Sequence, residues 1–438
     1  MHRAAGRHSA ARRLLVRLAP AAWCTSLYLL LRPENFGLTP NALDPFFYSG
    51  YTVNLDDALR ATGIRWYFIS RWSAYLPAHY FTVIAGPFLG RLLFRLVLTT
   101  AAVVLLRSLG RASRWRWEQT LLASTVLITM PMFVRALFTD YTEHAVVGYG
   151  VLLVCLCLRP RQTIWTTTAL GVLSGLLLVA NPTSLSMIAA PLTAAIVVGV
   201  RTYKSRAAFA VAIGSLAGVT ILLGAWYFSW RFGVAHIYRP TIHFMENGPG
   251  RDPLKSPRLD WLGRFTWIYG PPIVLAAAAA VLCIRKQRPS AMEWSIAGIV
   301  LAQYIYQIVD QFLRDSDGLE ISYYWSNMYP SFGVLLALVI ARMAEGASRR
   351  RLIALLIGWL LLLKVGIPDA LLLPVGLGFM FLAVLVVALI AVTARASMTA
   401  AGAVLGCFVL WTQIGAPPYD PTAYHPYNMS PRYDKLYT

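Results

Sequence analysis

The sequence predicts an all-α fold, a polytopic bundle of about thirteen membrane-spanning helices. Hydrophobic residues make up 58% of the 438 residues and charged residues only 13%. Apolar runs long enough to cross a bilayer recur to the end of the chain, and lysine and arginine fall in alternate breaks between them. These observations indicate a membrane protein. They also explain the net charge of +20 by topology, so nucleic-acid binding is not expected.

The polar breaks between the apolar runs define the predicted spans. The first span follows a basic N-terminus and ends at Arg32 with no small-residue cleavage site, so we expect it to be retained rather than removed as a signal peptide. In order, the spans cover residues 14–31, 82–106, 117–134, 144–158, 164–181, 184–200, 207–230, 265–284, 291–312, 323–341, 352–366, 371–394 and 398–414.

The basic residues predict which side of the membrane each connection faces. Alternate connections, counted with Arg17 near the start of the first span, hold 22 of the 39 lysines and arginines but only one carboxylate, Glu345. The positive-inside rule places these connections in the cytoplasm. They are the N-terminal tail and residues 107–116, 159–163, 201–206, 285–290, 342–351 and 395–397. We therefore expect a plasma-membrane (inner-membrane) protein with a cytoplasmic N-terminus and a short extracytoplasmic tail, residues 415–438.

The first outer connection, residues 32–80, is unusually long and polar for a chain of linked spans. Its Asp44 and Tyr48, followed by Asp56, Asp57 and Arg60, have the spacing of one or two short amphipathic helices that lie on the membrane. Such helices would display carboxylates at the bilayer surface. A loop of this kind predicts an active site.

Two further outer segments carry polar side chains. The turn before the fourth span places Asp140, Glu143 and His144 within one helical turn, so its acidic residues could converge with those of the first loop on one cavity. The second larger outer loop, residues 231–264, contains Arg239 and His243 and would cover such a site.

Together these features resemble the GT-C superfamily of polytopic glycosyltransferases, which includes protein O-mannosyltransferases and the lipid A aminoarabinose transferase. The stretch Y-F-I-S-R-W-S-A-Y-L-P before the second span is similar to that of bacterial members. The resemblance covers the first 200 residues or so, and implies one catalytic domain over residues 1–414. Asp44 is followed by Pro45 rather than by the Glu of the Asp-Glu pair common in eukaryotic members, which leaves the choice of base open between Asp44 and the Asp56–Asp57 pair.

The resemblance implies a polyprenyl-phosphate sugar donor and a hydroxyl acceptor on a glycan, lipid or protein. A carboxylate base and cationic partners for the phosphate suffice for this chemistry. We expect Asp44 to be the base, and Asp140 or Asp57 to hold acceptor hydroxyls. A divalent cation is a possible cofactor, with Asp44, Asp140 and Glu143 as its ligands. The expected substrate-binding residues are Tyr48, Asp56, Arg65, Arg71, Glu143, His144, Arg239 and His243.

Purely structural roles can also account for the presence of these residues, with no catalytic function. Asp44 and Asp140 suit helix starts, Asp56 and Asp57 suit a solvated helix N-terminus, and the arginines of the first loop suit contact with lipid headgroups. Two other functions also remain open, an O-antigen ligase or polymerase and a non-enzymatic lipid or solute transporter. A transporter is expected to bury carboxylates in mid-membrane.

Overall fold

The structure is a computed structural model of the chain. It describes residues 18–29, 43–62, 67–138, 142–198, 205–242, 266–286, 288–314, 327–365, 398, 401–406 and 409. Within these ranges the chain is helical and contains no strand, which confirms the all-α class. The predicted span 371–394 and the tail 415–438 lie outside the described residues.

Fifteen helices are numbered here in chain order. They are α1 (18–29), α2 (Leu43–Val53), α3 (Leu55–Thr62), α4 (Trp72–Ala85), α5 (Pro87–Ala112), α6 (Trp117–Thr129), α7 (Pro131–Phe138), α8 (Glu143–Cys157), α9 (Ile164–Ala180), α10 (Leu185–Val198), α11 (Arg206–Phe232), α12 (Gly270–Ile284), α13 (Ala291–Arg314), α14 (Tyr329–Met343) and α15 (Arg349–Val365). Short 3₁₀ turns cover Tyr67–Arg71, Pro182–Ser184 and Thr266–Tyr269.

The helices α8 and α14 form the centre of the bundle. Nearly all their side chains are buried, because both are apolar on every face and neighbouring helices surround them. Small residues permit the close approach: a Cβ at Gly150 would lie 2.6 Å from Cγ of Pro330. The sequence thus sets the middle of the bundle by placing glycine where two central helices touch.

Helices occupy each predicted span from the second to the eleventh, but several of their ends differ from the prediction. The predicted second span, 82–106, crosses a break at Gly86, where φ is +84° and the chain folds back. Phe81 packs on Gly90 and on Phe94, so α4 lies against the first turns of α5. Arg91 therefore belongs to α5 and donates to Ser49 Oγ of α2 at 3.2 Å.

Prolines inside two helices leave carbonyl groups that other helices satisfy. Pro77 of α4 has no N–H, so the carbonyl oxygen of Ser73 loses its helical donor. The hydroxyl of Tyr149 on α8 donates to that oxygen at 3.0 Å. Pro191 of α10 similarly frees the oxygen of Met187, which the Gln303 amide of α13 approaches at 3.5 Å. Such replacement is required wherever water is excluded.

The bundle has two chemically different ends. We call the end built from α2, α3, α4 and residues 233–242 the loop-rich end; apart from the last turn of α4, its segments come from connections predicted to face outward. We call the opposite end, where the connections 112–116, 157–160 and 341–346 meet, the arginine-rich end. Those connections coincide with ones predicted to be cytoplasmic, so the charge pattern and the packing agree on which connections share an end.

The outer faces of several helices are apolar and exposed. By length and composition, two of the described helices are able to cross a membrane, α5 and α11. Their outward side chains include Phe88 and Leu222, which are 68% and 66% exposed, and Ile84 at the end of α4 is 85% exposed. An apolar surface of this kind on a soluble protein would be an aggregation hazard, whereas lipid covers it in a bilayer.

Candidate functional site

A second apolar cluster organises the loop-rich end, separate from the main core. It joins the aromatic residues of α2 and of the segment 67–76 to the ends of α9 and α11 and to residues 233–242. Phe47 stacks on Phe68 with ring centroids 5.0 Å apart, and Tyr51 stacks on Tyr75 at 4.8 Å. The amphipathic spacing of the first loop thus becomes a folded unit that packs on the bundle.

Residues 233–242 close over this unit through one hydrogen-bonded chain. Nε1 of Trp72 donates to the hydroxyl of Tyr238 at 2.9 Å, and that hydroxyl donates to the carbonyl oxygen of Ile221 at 2.7 Å. Burial raises the pKa of the Tyr238 hydroxyl, although the Trp72 donor opposes the change. Ser70 and Thr241 share a further hydrogen bond. The two larger loops that are predicted to face outward therefore meet at Trp72.

The start of α8 brings buried polar residues to the same region. Thr142, Glu143 and His144 are 0%, 5% and 4% exposed. Nε2 of His144 lies 2.7 Å from the carbonyl oxygen of Ala74, and its ring meets Phe94 edge-on. A carbonyl oxygen only accepts, so Nε2 carries a proton and Nδ1 is the basic nitrogen of the neutral ring. Three consecutive buried polar residues at a helix start are typical of a functional site.

Arg71 lies immediately before α4, one turn from the Ala74 that His144 contacts. Its side chain is half-buried, and the residues on either side of it, Ser70 and Trp72, are buried. Tyr48 is 1% exposed, and its ring packs edge-on against Phe68, three residues before Arg71. The His144–Ala74 and Tyr48–Phe68 contacts therefore bring to the start of α4 the segments that carry four of the predicted substrate-binding residues: Tyr48, Arg71, Glu143 and His144.

The pair Asp56 and Asp57 lies away from this group. Both occupy the first turn of α3 and both are exposed. Asp56 pairs with Arg231 at 3.5 Å, while Asp57 pairs with Arg60 at 3.4 Å and accepts from Asn54 at 2.6 Å. This is the arrangement of a solvated helix N-terminus, in which acidic groups offset the helix dipole.

The remaining predicted residues are described in part or not at all. Asp44 lies in the first turn of α2, one turn before Tyr48, and nothing is described of its side chain. Arg239 is exposed and follows Tyr238 in the closing segment. Arg65, Asp140 and His243 lie outside the described residues. Among the residues that are described, no group of three or more His, Cys, Asp or Glu side chains is placed to hold a metal ion.

Sequence patterns did not single out Tyr149 or Tyr238. Both connect the site to the bundle, Tyr149 through Ser73 and Tyr238 through Trp72. The proline inside α4 could have indicated a partner such as Tyr149, because the carbonyl oxygen that it leaves without a helical donor requires a donor from another helix. Trp72 is itself 8% exposed and packs on Gly224.

Comparisons with protein-family models, with curated proteins and with solved structures find no match to this chain. The residues and geometry above are therefore the whole basis for a functional assignment.

Proposed function

We propose that the protein is an integral-membrane glycosyltransferase that moves a sugar from a polyprenyl-phosphate donor to a hydroxyl acceptor at the loop-rich end. The observation that carries the proposal is the hydrogen bond of His144 to Ala74, which brings the buried start of α8, with Glu143, beside the turn of α4 that follows Arg71. Both segments are predicted to face outward. The pattern resembling GT-C enzymes in the first loop supports the same assignment. We propose that this end faces away from the cytoplasm.

The proposed reaction is a single displacement. The acceptor oxygen forms a bond to the anomeric carbon while the bond from that carbon to the phosphate oxygen breaks, and the phosphate keeps the electron pair. A carboxylate takes the acceptor proton, and the configuration of the sugar inverts. Asp44 is the proposed base, because it begins α2 one turn before Tyr48. Arg71 stabilises the departing phosphate through paired N–H donors.

Glu143 and His144 are proposed to position the acceptor. The hydrogen bond from His144 to Ala74 fixes the ring orientation and makes Nδ1 the accepting nitrogen. Burial strengthens any hydrogen bond made by the neighbouring carboxylate, since water does not compete for it. Asp56 and Asp57 are proposed to hold α3 through their exposed ion pairs rather than to touch substrate.

The experiment uses purified full-length protein in phosphatidylcholine nanodiscs with a panel of radiolabelled polyprenyl-phosphate sugars. Release of polyprenyl phosphate and transfer of label to an acceptor pool are both measured. We expect turnover of at least one donor. Glu143→Gln and His144→Gln should each reduce that turnover by about a hundredfold.

The matched control is Glu118→Gln, a carboxylate at the arginine-rich end that pairs with Arg349 at 3.6 Å. It should retain turnover close to that of the unaltered protein. The proposal is wrong if no donor in the panel is turned over, or if Glu118→Gln and Glu143→Gln lose activity equally. Movement of an intact donor across the bilayer without release of polyprenyl phosphate would favour a transporter, which the buried Glu143 also fits.

A further inference from the structure

The arginine-rich end contains a cavity that the proposed function does not use. Its volume is about 680 Å³, and it lies between the end of α5, the start of α6, the end of α8, the start of α13 and the end of α14. The amide of Gln119 donates to the carbonyl oxygen of Ala341 at 2.9 Å and ties α6 to α14 beside the cavity. The cavity is therefore walled by helix ends that are fixed to one another.

Positive charge exceeds negative charge in the cavity wall. The lining contains four arginines and two glutamates, and both glutamates are already paired. Glu293 pairs with Arg342 at 3.1 Å, and Glu345 pairs with Arg285 at 2.7 Å. The three other arginines of the wall have no carboxylate partner among the described residues: Arg114, Arg116 and Arg159.

Two of these three arginines are held in place by neutral acceptors. The Arg116 guanidinium donates to the carbonyl oxygen of Ala347, and that of Arg159 donates to Ser108 Oγ at 3.3 Å. Neither contact neutralises the charge. A guanidinium held in this way still offers N–H donors, and its geometry matches the oxygens of a phosphate.

Arg114 is the third arginine, and its backbone is strained. It lies two residues beyond the end of α5 with φ of +58°, a conformation that glycine adopts without cost. An ordinary side chain there costs about 1 kcal/mol. The exposed Arg114 side chain makes no hydrogen bond or ion pair with the described part of the chain.

Exposed tryptophans mark the level of this end. Trp117, Trp165 and Trp294 are 56%, 80% and 67% exposed, and each lies in the first turn of its helix. Trp226 and Trp230, near the end of α11, mark the loop-rich end in the same way, at 62% and 69% exposed. Tryptophan concentrates at the boundary between lipid and water. In a bilayer, these rings would set the cavity at the depth of the lipid phosphates.

We propose that this cavity binds a phosphate-bearing anion through Arg114, Arg116 and Arg159. Because the exposed tryptophans place the cavity at headgroup depth, an anionic phospholipid is its ligand rather than a soluble phosphate. The site is independent of the transferase chemistry at the loop-rich end. Basic recesses between helix ends on the positively charged side of a membrane protein bind anionic headgroups in this manner.

The test compares Arg114→Gly with Lys286→Gly in the full-length protein. Lys286 is the matched control, since it also lies two residues beyond a helix end, has φ of +50° and does not line the cavity. Both changes remove one positive charge and relieve the same strain, so both variants should fold with equal or higher thermal midpoints. Binding of short-chain phosphatidylglycerol, phosphatidylcholine and inorganic phosphate is measured in neutral detergent.

We expect saturable binding of phosphatidylglycerol that weakens about tenfold in Arg114→Gly and is unchanged in Lys286→Gly. Binding of inorganic phosphate with the same dependence on Arg114 supports the anion site and assigns it to a soluble phosphate. The proposal is overturned if phosphatidylglycerol and phosphate both fail to saturate. It is also overturned if phosphatidylcholine binds equally well or if the two glycine variants weaken binding to the same extent.

Discussion

The hydroxyl of Tyr149 donates to the carbonyl oxygen of Ser73, which Pro77 leaves without its helical donor. This contact joins α4, which carries Arg71 at its start, to α8, which carries Glu143 and His144. The hydrogen bond of His144 to Ala74 lies beside it. Packing of the site thus depends on a carbonyl that the α4 backbone cannot satisfy.

Tyr149→Phe should lower the free energy of unfolding by about 1 kcal/mol, because the Ser73 oxygen is then buried without this donor. In a Pro77→Ala background the cost should fall, since residue 77 regains an N–H for the same oxygen. Unfolding in mixed detergent micelles, followed by circular dichroism, gives the four values of the cycle. Additive effects of the two changes would contradict the proposed competition for one oxygen.

Gly224→Ala should destabilise the loop-rich end by about 1–3 kcal/mol, because the new Cβ would overlap the Trp72 ring. Displacing Trp72 removes its hydrogen bond to Tyr238, so hydrogen exchange should quicken across residues 233–242. Gly218→Ala on the same helix is the control, since a Cβ there meets nothing within 4 Å. Equal exchange in the two variants would show that Gly224 is not needed for closure.

Asp44→Asn should abolish sugar transfer while leaving expression and the thermal midpoint unchanged, because the amide cannot accept the acceptor proton. The assay is release of polyprenyl phosphate under single-turnover conditions. Retained turnover would remove Asp44 from the role of base, and the search would then move to the other carboxylates of the first loop.

Single cysteines at the two ends should report opposite sides of the membrane. In a background without other cysteines, His236→Cys should react with an impermeant maleimide in intact cells, and Arg288→Cys only after the membrane is opened. Both positions are exposed and lie at opposite ends of the bundle. Labelling of Arg288→Cys in intact cells would reverse the proposed orientation.

The hydrophobic pattern predicted the helices well, because burial in lipid or in a bundle requires long apolar runs. The ends of α8 and α9, for example, agree with the prediction to within a residue or so. It did not reveal the break at Gly86, because one glycine within an apolar stretch leaves the mean hydropathy unchanged. Glu143 and His144 were expected at the mouth of a span. Their burial depends on α4 folding against α8, which no local pattern encodes.

Charge pattern predicted which connections share the arginine-rich end, but not that they enclose a cavity. That depends on which helix ends lie side by side, as where Gln119 reaches Ala341. The first loop was expected to lie on the membrane surface, but Trp72 within it packs against Gly224 on α11. Aromatic residues in a polar connection suggest rings at the surface. Only the packing shows which of these rings belong to a buried core.

Gly148 and Gly150 lie in the second turn of α8, within two turns of the polar residues that begin it. A methyl group added at Gly148 would press on Leu98, and one at Gly150 on Pro330 and Met187. Such a change would tilt α8 and carry Glu143 and His144 with it. Conditional mutations that impair activity should therefore arise at these two buried glycines, although they change no polar side chain.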